Sequence, residues 1–124
     1  MSKSLILFVD DETETLELLK RALEDRGYAM LTAKSGSEAL DLLKTKTPDL
    51  ILADLRMQPM NGFELFQLVK KNAKFSKTPF FFLTAVNDPL SQKYGETLGA
   101  DAYITKPVDI DRLDTLIANR LPPK

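Results

Sequence analysis

Short apolar runs of strand length alternate with amphipathic helical segments along the whole of this 124-residue chain. The runs predict five strands, at 5–9, 28–33, 49–53, 79–83 and 102–104. Apolar residues at helical spacing follow each strand, and the five helices are predicted to begin near Glu12, Ser35, Asn61, Asn87 and Asp109. Five strand–helix units in series predict an α/β fold, in which helices cover both faces of a doubly wound parallel sheet.

The composition fits one soluble domain and excludes several kinds of site. The chain has no cysteine and no histidine, which excludes disulfides, thiolate metal sites, histidine-ligated zinc and histidine acid–base catalysis. Its net charge of −1 gives no general attraction for nucleic acids or anionic membranes. No apolar run has the length of a membrane span or a signal-peptide core. We therefore expect a cytoplasmic protein with one domain over residues 1–121, and a Pro-Pro tail at 122–124 that ends the chain or begins a linker.

Side chains that can handle a phosphoryl group follow four of the predicted strands. They are Asp10 and Asp11 after the first strand, Asp54 after the third, Thr84 after the fourth, and Lys106 after the fifth. The carboxyl ends of parallel strands meet at one edge of a sheet, where such folds bind ligands. Neighbouring carboxylates repel by about 4 kcal/mol at ~4 Å and an effective dielectric constant of roughly 20, and a hard cation relieves this repulsion. The pattern predicts a site for a divalent cation and a phosphate.

Four fragments of the sequence resemble the receiver domain of two-component response regulators, in the order and spacing of that family and over essentially the whole chain. They are Val9-Asp10-Asp11-Glu12, Asp54-Leu-Arg-Met-Gln-Pro-Met-Asn-Gly62, Leu83-Thr84-Ala85 and Lys106-Pro107. The resemblance implies a flavodoxin-like (βα)5 fold with strand order 2-1-3-4-5. It also implies a signalling switch in which Asp54 accepts a phosphoryl group with Mg²⁺ as cofactor. Phosphorylation would then change a partner-binding surface around the fourth and fifth strand–helix units.

The resemblance assigns metal ligands around Asp54, the implied phosphoacceptor. Asp11 would bind Mg²⁺ directly, Asp10 mainly through water, and the backbone carbonyl of Arg56 would complete the protein ligands together with Asp54. The residues by themselves leave a structural alternative open for Asp11, which is a helix N-cap with Glu14 three residues later. Asp54 taken alone would be an ordinary turn residue after a strand.

The resemblance gives roles to three further side chains. Lys106 would stabilise a phosphoryl oxygen, and a cis peptide bond to Pro107 would aim it inward. Thr84 would bond the phosphoryl group, and Tyr103 would turn inward behind it as part of the readout. The structural alternatives are a surface lysine, a strand-end threonine and a half-buried aromatic ring.

Two positions tune the phosphoryl lifetime in the family, and they are Arg56 and Val86 here. Neither side chain has a carboxylate or amide to orient a water molecule, so slow to moderate self-hydrolysis is expected. The chain departs from the family in one loop, where Gln58 stands at the usual position of a proline and Pro59 follows. The backbone path of this loop sets the position of the Arg56 carbonyl, so the departure bears on that implied metal ligand.

The implied upstream partner is a sensor histidine kinase or a histidine phosphotransfer protein. Downstream, an effector protein or an absent C-terminal output domain would receive the signal, and a phosphorylation-dependent homodimer is also open. Direct binding to nucleic acid or to a membrane is not expected, nor is enzymatic activity beyond the chain's own phosphotransfer and slow autodephosphorylation. The basic cluster, which comprises Lys70, Lys71, Lys74 and Lys77, is interpreted as a solvated helix face and loop.

Three other functions compete with the switch. A receiver-like interaction module that works without phosphorylation would not require the full set of three acids, threonine and lysine. A flavodoxin-type electron carrier needs a phosphate-cradling loop after the first strand, where this chain has Asp10-Asp11-Glu12. A phosphoaspartate hydrolase needs a second aspartate two residues after its nucleophile, whereas Leu-Arg follows Asp54.

Overall fold

The computed structural model describes residues 3–121, so the predicted tail at 122–124 lies outside the described residues. The strands are β1 (Leu5–Val9), β2 (Ala29–Ala33), β3 (Leu50–Ala53), β4 (Phe80–Thr84) and β5 (Ala102–Thr105). They form one parallel sheet in the order β2-β1-β3-β4-β5. The doubly wound α/β fold and its strand order are therefore confirmed, with strand ends within one residue of the predicted ones.

Five helices and one short 3-10 turn connect the strands. They are α1 (Thr13–Asp25), α2 (Gly36–Leu43), α3 (Gly62–Lys71), the 3-10 turn (Ala73–Phe75), α4 (Pro89–Leu98) and α5 (Ile110–Arg120). None of the helices between residues 3 and 121 combines the length and apolarity needed to cross a bilayer.

The sheet separates two apolar cores, because successive side chains of a strand point to opposite faces. One core joins α1 and α5 to the sheet through residues such as Leu19, Phe8 and Ile117. The other lies under α2 and α3, where Phe66 and Phe82 are among the buried residues. All positions of β3 and β4 are buried, as expected for central strands covered on both faces.

Side-chain caps set the start of four helices. Asn61 and Glu64 form a complete capping box at α3, in which the Asn61 side chain accepts from the Glu64 amide at 2.9 Å and the Glu64 side chain accepts from the Asn61 amide at 3.1 Å. Ser35, Asp88 and Asp109 cap α2, α4 and α5. The first helix differs, because its N-cap residue is Glu12 and no side chain caps it. The alternative interpretation of Asp11 as an N-cap is therefore wrong.

The basic cluster is not uniformly solvated, which corrects its interpretation as a free helix face. Lys71, Lys74 and Lys77 are exposed, but Lys70 is half-buried. The Lys70 ammonium donates to the backbone carbonyls of Phe75 and Thr78, and burial lowers its pKa. Lys70 therefore ties the end of α3 to the segment that leads into β4.

Candidate functional site

Two buried carboxylates lie at the carboxyl edge of the sheet, one residue beyond the ends of β1 and β3. Asp10 is fully buried and Asp54 is 4% exposed. Their backbone amides continue the sheet pairing, since Asp10 donates to the Ala33 carbonyl at 3.1 Å and Asp54 to the Val9 carbonyl at 3.0 Å. The sheet thus places both carboxylates side by side, as the strand-end pattern predicts.

Lys106 bridges the two carboxylates from the end of β5. Its ammonium lies 2.7 Å from Asp10 Oδ2 and 3.2 Å from Asp54 Oδ2, and its side chain is only 16% exposed. Its amide donates to the Thr84 carbonyl at 2.8 Å, which fixes its backbone against β4. The peptide bonds Lys106–Pro107 and Gln58–Pro59 are both cis. Because its ammonium contacts both carboxylates, Lys106 is an inward-facing partner of the acids and not a surface lysine.

Burial and charge act against each other in this group. Burial raises the pKa of Asp10 above its ordinary value, although hydrogen bonds from Lys106 and from the Glu12 amide oppose the rise. Burial alone would lower the pKa of Lys106, but the hydrogen bond to Asp10 and the charge of Asp54 outweigh it and the pKa is raised. The ammonium therefore stays charged at neutral pH, where it stabilises negative charge at this edge.

A third carboxylate joins the two aspartates, and it belongs to Glu12. One carboxylate oxygen each from Asp10, Glu12 and Asp54 lie within 4.8 Å of one another. Asp11, the ligand that the family resemblance implies, is exposed and is not a member of this group. The donors are all carboxylate oxygens, and their charge exceeds that of Lys106, so the cluster suits a hard divalent cation such as Mg²⁺.

The loop after Asp54 is held close to the Asp54 carboxylate. The Arg56 amide donates to Asp54 Oδ1 at 3.2 Å, while the Arg56 side chain is exposed. The Gly62 amide donates to the Leu55 carbonyl at 3.0 Å. A Cβ atom at position 62 would come within 2.3 Å of the Asp54 carbonyl oxygen, so only glycine fits there without a shift of the loop.

The predicted readout residues are linked through the backbone of one residue, Val86. Thr84 is fully buried, and its hydroxyl oxygen accepts from the Val86 amide at 3.2 Å. The Tyr103 hydroxyl donates to the Val86 carbonyl at 2.7 Å. Tyr103 is half-buried, and burial raises its pKa. The structure therefore joins Thr84 and Tyr103 through the backbone of Val86, a link that the side-chain pattern does not reveal.

A groove of about 600 Å³ opens beside the acid cluster. Its lining includes both predicted tuning positions, Arg56 and Val86, together with Asp11 and Gln58. The groove thus borders the loop that follows Asp54.

Sequence reasoning missed the place of Glu12 in the acid cluster. The available signal is that glutamate is a poor N-cap residue, yet Glu12 occupies the N-cap of a helix that directly follows a buried strand. Lys70 was missed as well, because its carbonyl partners lie in a 3-10 turn and the segment after it, which the apolar spacing does not reveal.

Comparison with known proteins places the chain in a defined family. The family model of the response regulator receiver domain matches residues 6–118. The transcriptional regulatory protein YvrH of Bacillus subtilis is 42% identical over 108 residues, which make up 86% of this chain and 44% of YvrH. The DNA-binding transcriptional regulator NtrC of Klebsiella pneumoniae is 36% identical over 117 residues, or 94% of this chain and 24% of NtrC. The chain thus spans less than half the length of these two relatives.

A solved structure agrees with the observed fold. The chemotaxis response regulator CheY4 of Vibrio cholerae superimposes with a TM-score of 0.89 at 29% identity, and the match covers 97% of this chain and 100% of CheY4.

Proposed function

The chain belongs to the receiver-domain family of response regulators, which serve phosphorylation-dependent two-component signalling, and we propose that it is a switch phosphorylated on Asp54. The observation that carries the proposal is the bridge from Lys106 to the two buried carboxylates, Asp10 and Asp54. This arrangement supports the proposal, because it brings a candidate nucleophile, a positive charge and an acid cluster suited to a cation to one edge of the sheet.

The donor would be a phosphohistidine on a sensor histidine kinase or a phosphotransfer protein. An oxygen of the Asp54 carboxylate attacks phosphorus, the phosphorus–nitrogen bond breaks, and the imidazole nitrogen keeps the bonding electrons. Such a transfer depends on positioning and on charge neutralisation. Lys106 stabilises the charge on the phosphoryl oxygens, and the Thr84 hydroxyl binds one of them once it leaves the Val86 amide.

Asp10, Asp54 and the Arg56 carbonyl are proposed to hold Mg²⁺, with Asp11 as the ligand that the family pattern adds. When bound, Mg²⁺ supplies further positive charge to the phosphoryl oxygens. Receiver domains bind this ion at an acidic pocket, and the three-carboxylate cluster supports the same role here.

The signal would leave through the fourth and fifth strand–helix units. The link from Thr84 through Val86 to Tyr103 supports this path, because the Thr84 hydroxyl holds the amide of Val86 and the Tyr103 hydroxyl holds the carbonyl of the same residue. The target would be an effector protein, an output domain beyond residue 124, or a second copy of the chain. We propose residues 1–121 as the receiver domain, 122–124 as its tail or linker, and the cytoplasm as its location.

The proposal is tested by intact-mass analysis after incubation with a small acyl phosphate, with and without Mg²⁺. Wild type should gain one phosphoryl group only when Mg²⁺ is present, and Asp54→Asn should gain none. Asp25→Asn, which changes an exposed aspartate at the end of α1, is the matched control and should behave as wild type. No adduct on wild type under either condition would favour the phosphorylation-independent interaction module instead.

A further inference from the structure

Exposed lysines gather at the edge of the sheet that lies opposite Asp54. They belong to the two stretches of chain that run from the ends of α2 and α3 into β3 and β4, and this lysine patch comprises Lys44, Lys46, Lys71, Lys74 and Lys77. We propose that the lysine patch docks an acidic segment of a partner protein, which inserts one aliphatic side chain between α2 and α3. The inference goes beyond the proposed function, because this surface lies at the amino ends of the strands and Asp54 at their carboxyl ends.

The two stretches meet because β3 and β4 are neighbours in the sheet. The Ile51 amide of β3 donates to the Pro79 carbonyl at 3.0 Å, directly before β4 begins. A cleft of about 90 Å³ is lined from both stretches, by Lys44 on one side and by Asn72 and Phe75 on the other. The lysines of the patch therefore border a single surface.

The positive charge of the lysine patch is only partly offset by carboxylates. Lys44 pairs with Asp41 at 3.2 Å, and both side chains are largely exposed. The other four lysines have no ion-pair partner among residues 3–121. The one carboxylate within the two stretches belongs to Asp49, and it accepts from the Leu5 amide at 2.8 Å. Since the whole chain has a net charge of −1, the patch is a local concentration of charge, and it complements an acidic surface.

The stretch between α3 and β4 is held in place by its own polar contacts. The Asn72 side chain accepts from the Lys74 amide at 3.0 Å. The Lys70 ammonium donates to the Phe75 carbonyl at 3.3 Å and also to the Thr78 carbonyl, although burial of a charge is unfavourable. These contacts fix the backbone that carries two of the exposed lysines. A preorganised surface loses less conformational entropy when a partner binds.

The apolar lining of the cleft favours a protein partner over a nucleic acid. Leu68 is 41% exposed and Leu40 is half-buried, and both line the cleft. An apolar centre with a polar rim is typical of protein interfaces, and the cleft has room for one small aliphatic side chain. Nucleic-acid surfaces typically use arginine and exposed aromatic rings. The two stretches have no arginine, and their one aromatic ring, that of Phe75, is buried.

The charge requirement is tested with a fluorescein-labelled acidic peptide, EEDLEDE, whose binding to the unphosphorylated chain is followed by fluorescence anisotropy at low salt. Lys74→Glu combined with Lys77→Glu should weaken binding by about tenfold or more, and Lys46→Glu combined with Lys71→Glu should act in the same direction. The matched control combines Lys34→Glu with Lys93→Glu, which changes the net charge equally at exposed positions outside the patch. It should stay within about twofold of wild type. No saturable binding to wild type, or equal losses in control and patch variants, would overturn the inference.

The insertion of an aliphatic side chain is tested with the peptide EEDSEDE, which keeps the charge and replaces leucine with serine. It should bind wild type about fivefold more weakly than EEDLEDE does, because burial of the leucine side chain is lost. Leu68→Ser should remove this difference between the peptides, whereas Leu90→Ser, at a more exposed leucine on α4, should preserve it. Equal affinity of the two peptides for wild type would contradict the proposed insertion.

Other anionic occupants are tested in parallel with a short single-stranded thymidine oligonucleotide and with vesicles of equal parts phosphatidylserine and phosphatidylcholine. Both should bind more weakly than EEDLEDE. Tighter binding of either one that is lost in the patch variants would overturn the inference in favour of a nucleic acid or a membrane. Because no phosphodonor is present, a missing adduct on Asp54 would refute the proposed function and leave this result standing.

Discussion

At the scale of single residues, the proposed function gives Lys106 two opposing roles, one toward the cation and one toward the phosphoryl group. Its ammonium contacts one oxygen on each of Asp10 and Asp54, so it offsets part of the negative charge that attracts Mg²⁺. In the proposed function, the same charge stabilises a transferred phosphoryl group. These two roles predict effects of opposite sign when the ammonium is removed.

Lys106→Met should therefore bind Mg²⁺ more tightly, by up to roughly tenfold, and accept a phosphoryl group about 100-fold more slowly or worse. The first effect is read from an NMR titration and the second from the rate at which the phosphorylated mass appears. Lys71→Met, at an exposed position on α3, should change neither quantity. Weaker Mg²⁺ binding in Lys106→Met would show that the lysine only supports the local structure.

Gly62 lies where the loop after Asp54 leaves no room for a Cβ atom. Gly62→Ala should lower the free energy of unfolding by about 3 kcal/mol, because the new Cβ would meet the Asp54 carbonyl oxygen at 2.3 Å and the Leu55 Cα at 2.9 Å. Urea unfolding measures this loss.

Gly95→Ala is the comparison, because Gly95 lies inside α4 and the added Cβ would meet the Phe82 and Tyr103 rings at 3.3–3.4 Å. A gain in helix propensity of about 1 kcal/mol opposes these tighter contacts, so its stability should stay within about 1 kcal/mol of wild type. Equal losses in the two variants would contradict the close approach assigned to Gly62.

At the scale of elements, a polar cluster joins the C-terminal end of α1 to α5. The Tyr28 hydroxyl donates to Asp114 Oδ1 at 2.5 Å, and Arg26 pairs with Asp114 at 3.1 Å and with Asp111. Burial, followed by the hydrogen bond and charge of Asp114, raises the pKa of Tyr28. The neutral phenol therefore stabilises the folded state.

Tyr28→Phe should lower the free energy of unfolding by about 1–2 kcal/mol at neutral pH, since it removes a hydrogen bond to a charged acceptor. A raised pKa in the folded state means that this contribution is complete below about pH 10, the ordinary pKa of a tyrosine, and is lost as the pH rises further. The difference between wild type and variant should thus shrink above pH 10 in urea unfolding. Tyr94→Phe, at an exposed tyrosine, is the control, and a difference that grows above pH 10 would contradict the assignment.

The elements themselves could be predicted because burial leaves a strong pattern in the sequence. Continuous apolar runs such as Leu50–Ala53 are typical of central strands, and residues such as Asn61 and Asp109 mark helix starts. The end of α2 at Leu43 could not be placed from the pattern, because the next breaker, Pro48, lies five residues later. Helix ends depend on local turns that many residues tolerate.

The arrangement within the site could be predicted only in part. The strand-end rule placed Asp10, Asp54 and Lys106 at one edge, because sheet geometry alone brings those positions together. Whether Asp11 or Glu12 points into the cluster depends on the backbone angles of one turn, which the order of acidic residues does not determine. The same limit applies to Val86, because its backbone amide and carbonyl bind the Thr84 and Tyr103 hydroxyls, and every residue type carries these backbone groups.

At the scale of the whole molecule, the chain corresponds to one part of the longer relatives that it matches. It spans 44% of YvrH and 24% of NtrC, so most of each relative lies outside the matched region. The sheet edge that holds the acids also carries the Val86 link to β5, which is the connection that the proposed function uses between phosphorylation and its output. The central claim is that the input is a phosphoryl group on Asp54.

The most direct measurement identifies the modified residue chemically. Protein treated with an acyl phosphate and Mg²⁺ is reduced with borohydride, which converts an aspartyl phosphate into homoserine, and its peptides are then sequenced by mass spectrometry. The account predicts homoserine at position 54 and at no other position. Homoserine at position 10, at position 11 or at an exposed carboxylate, with aspartate retained at position 54, would contradict it.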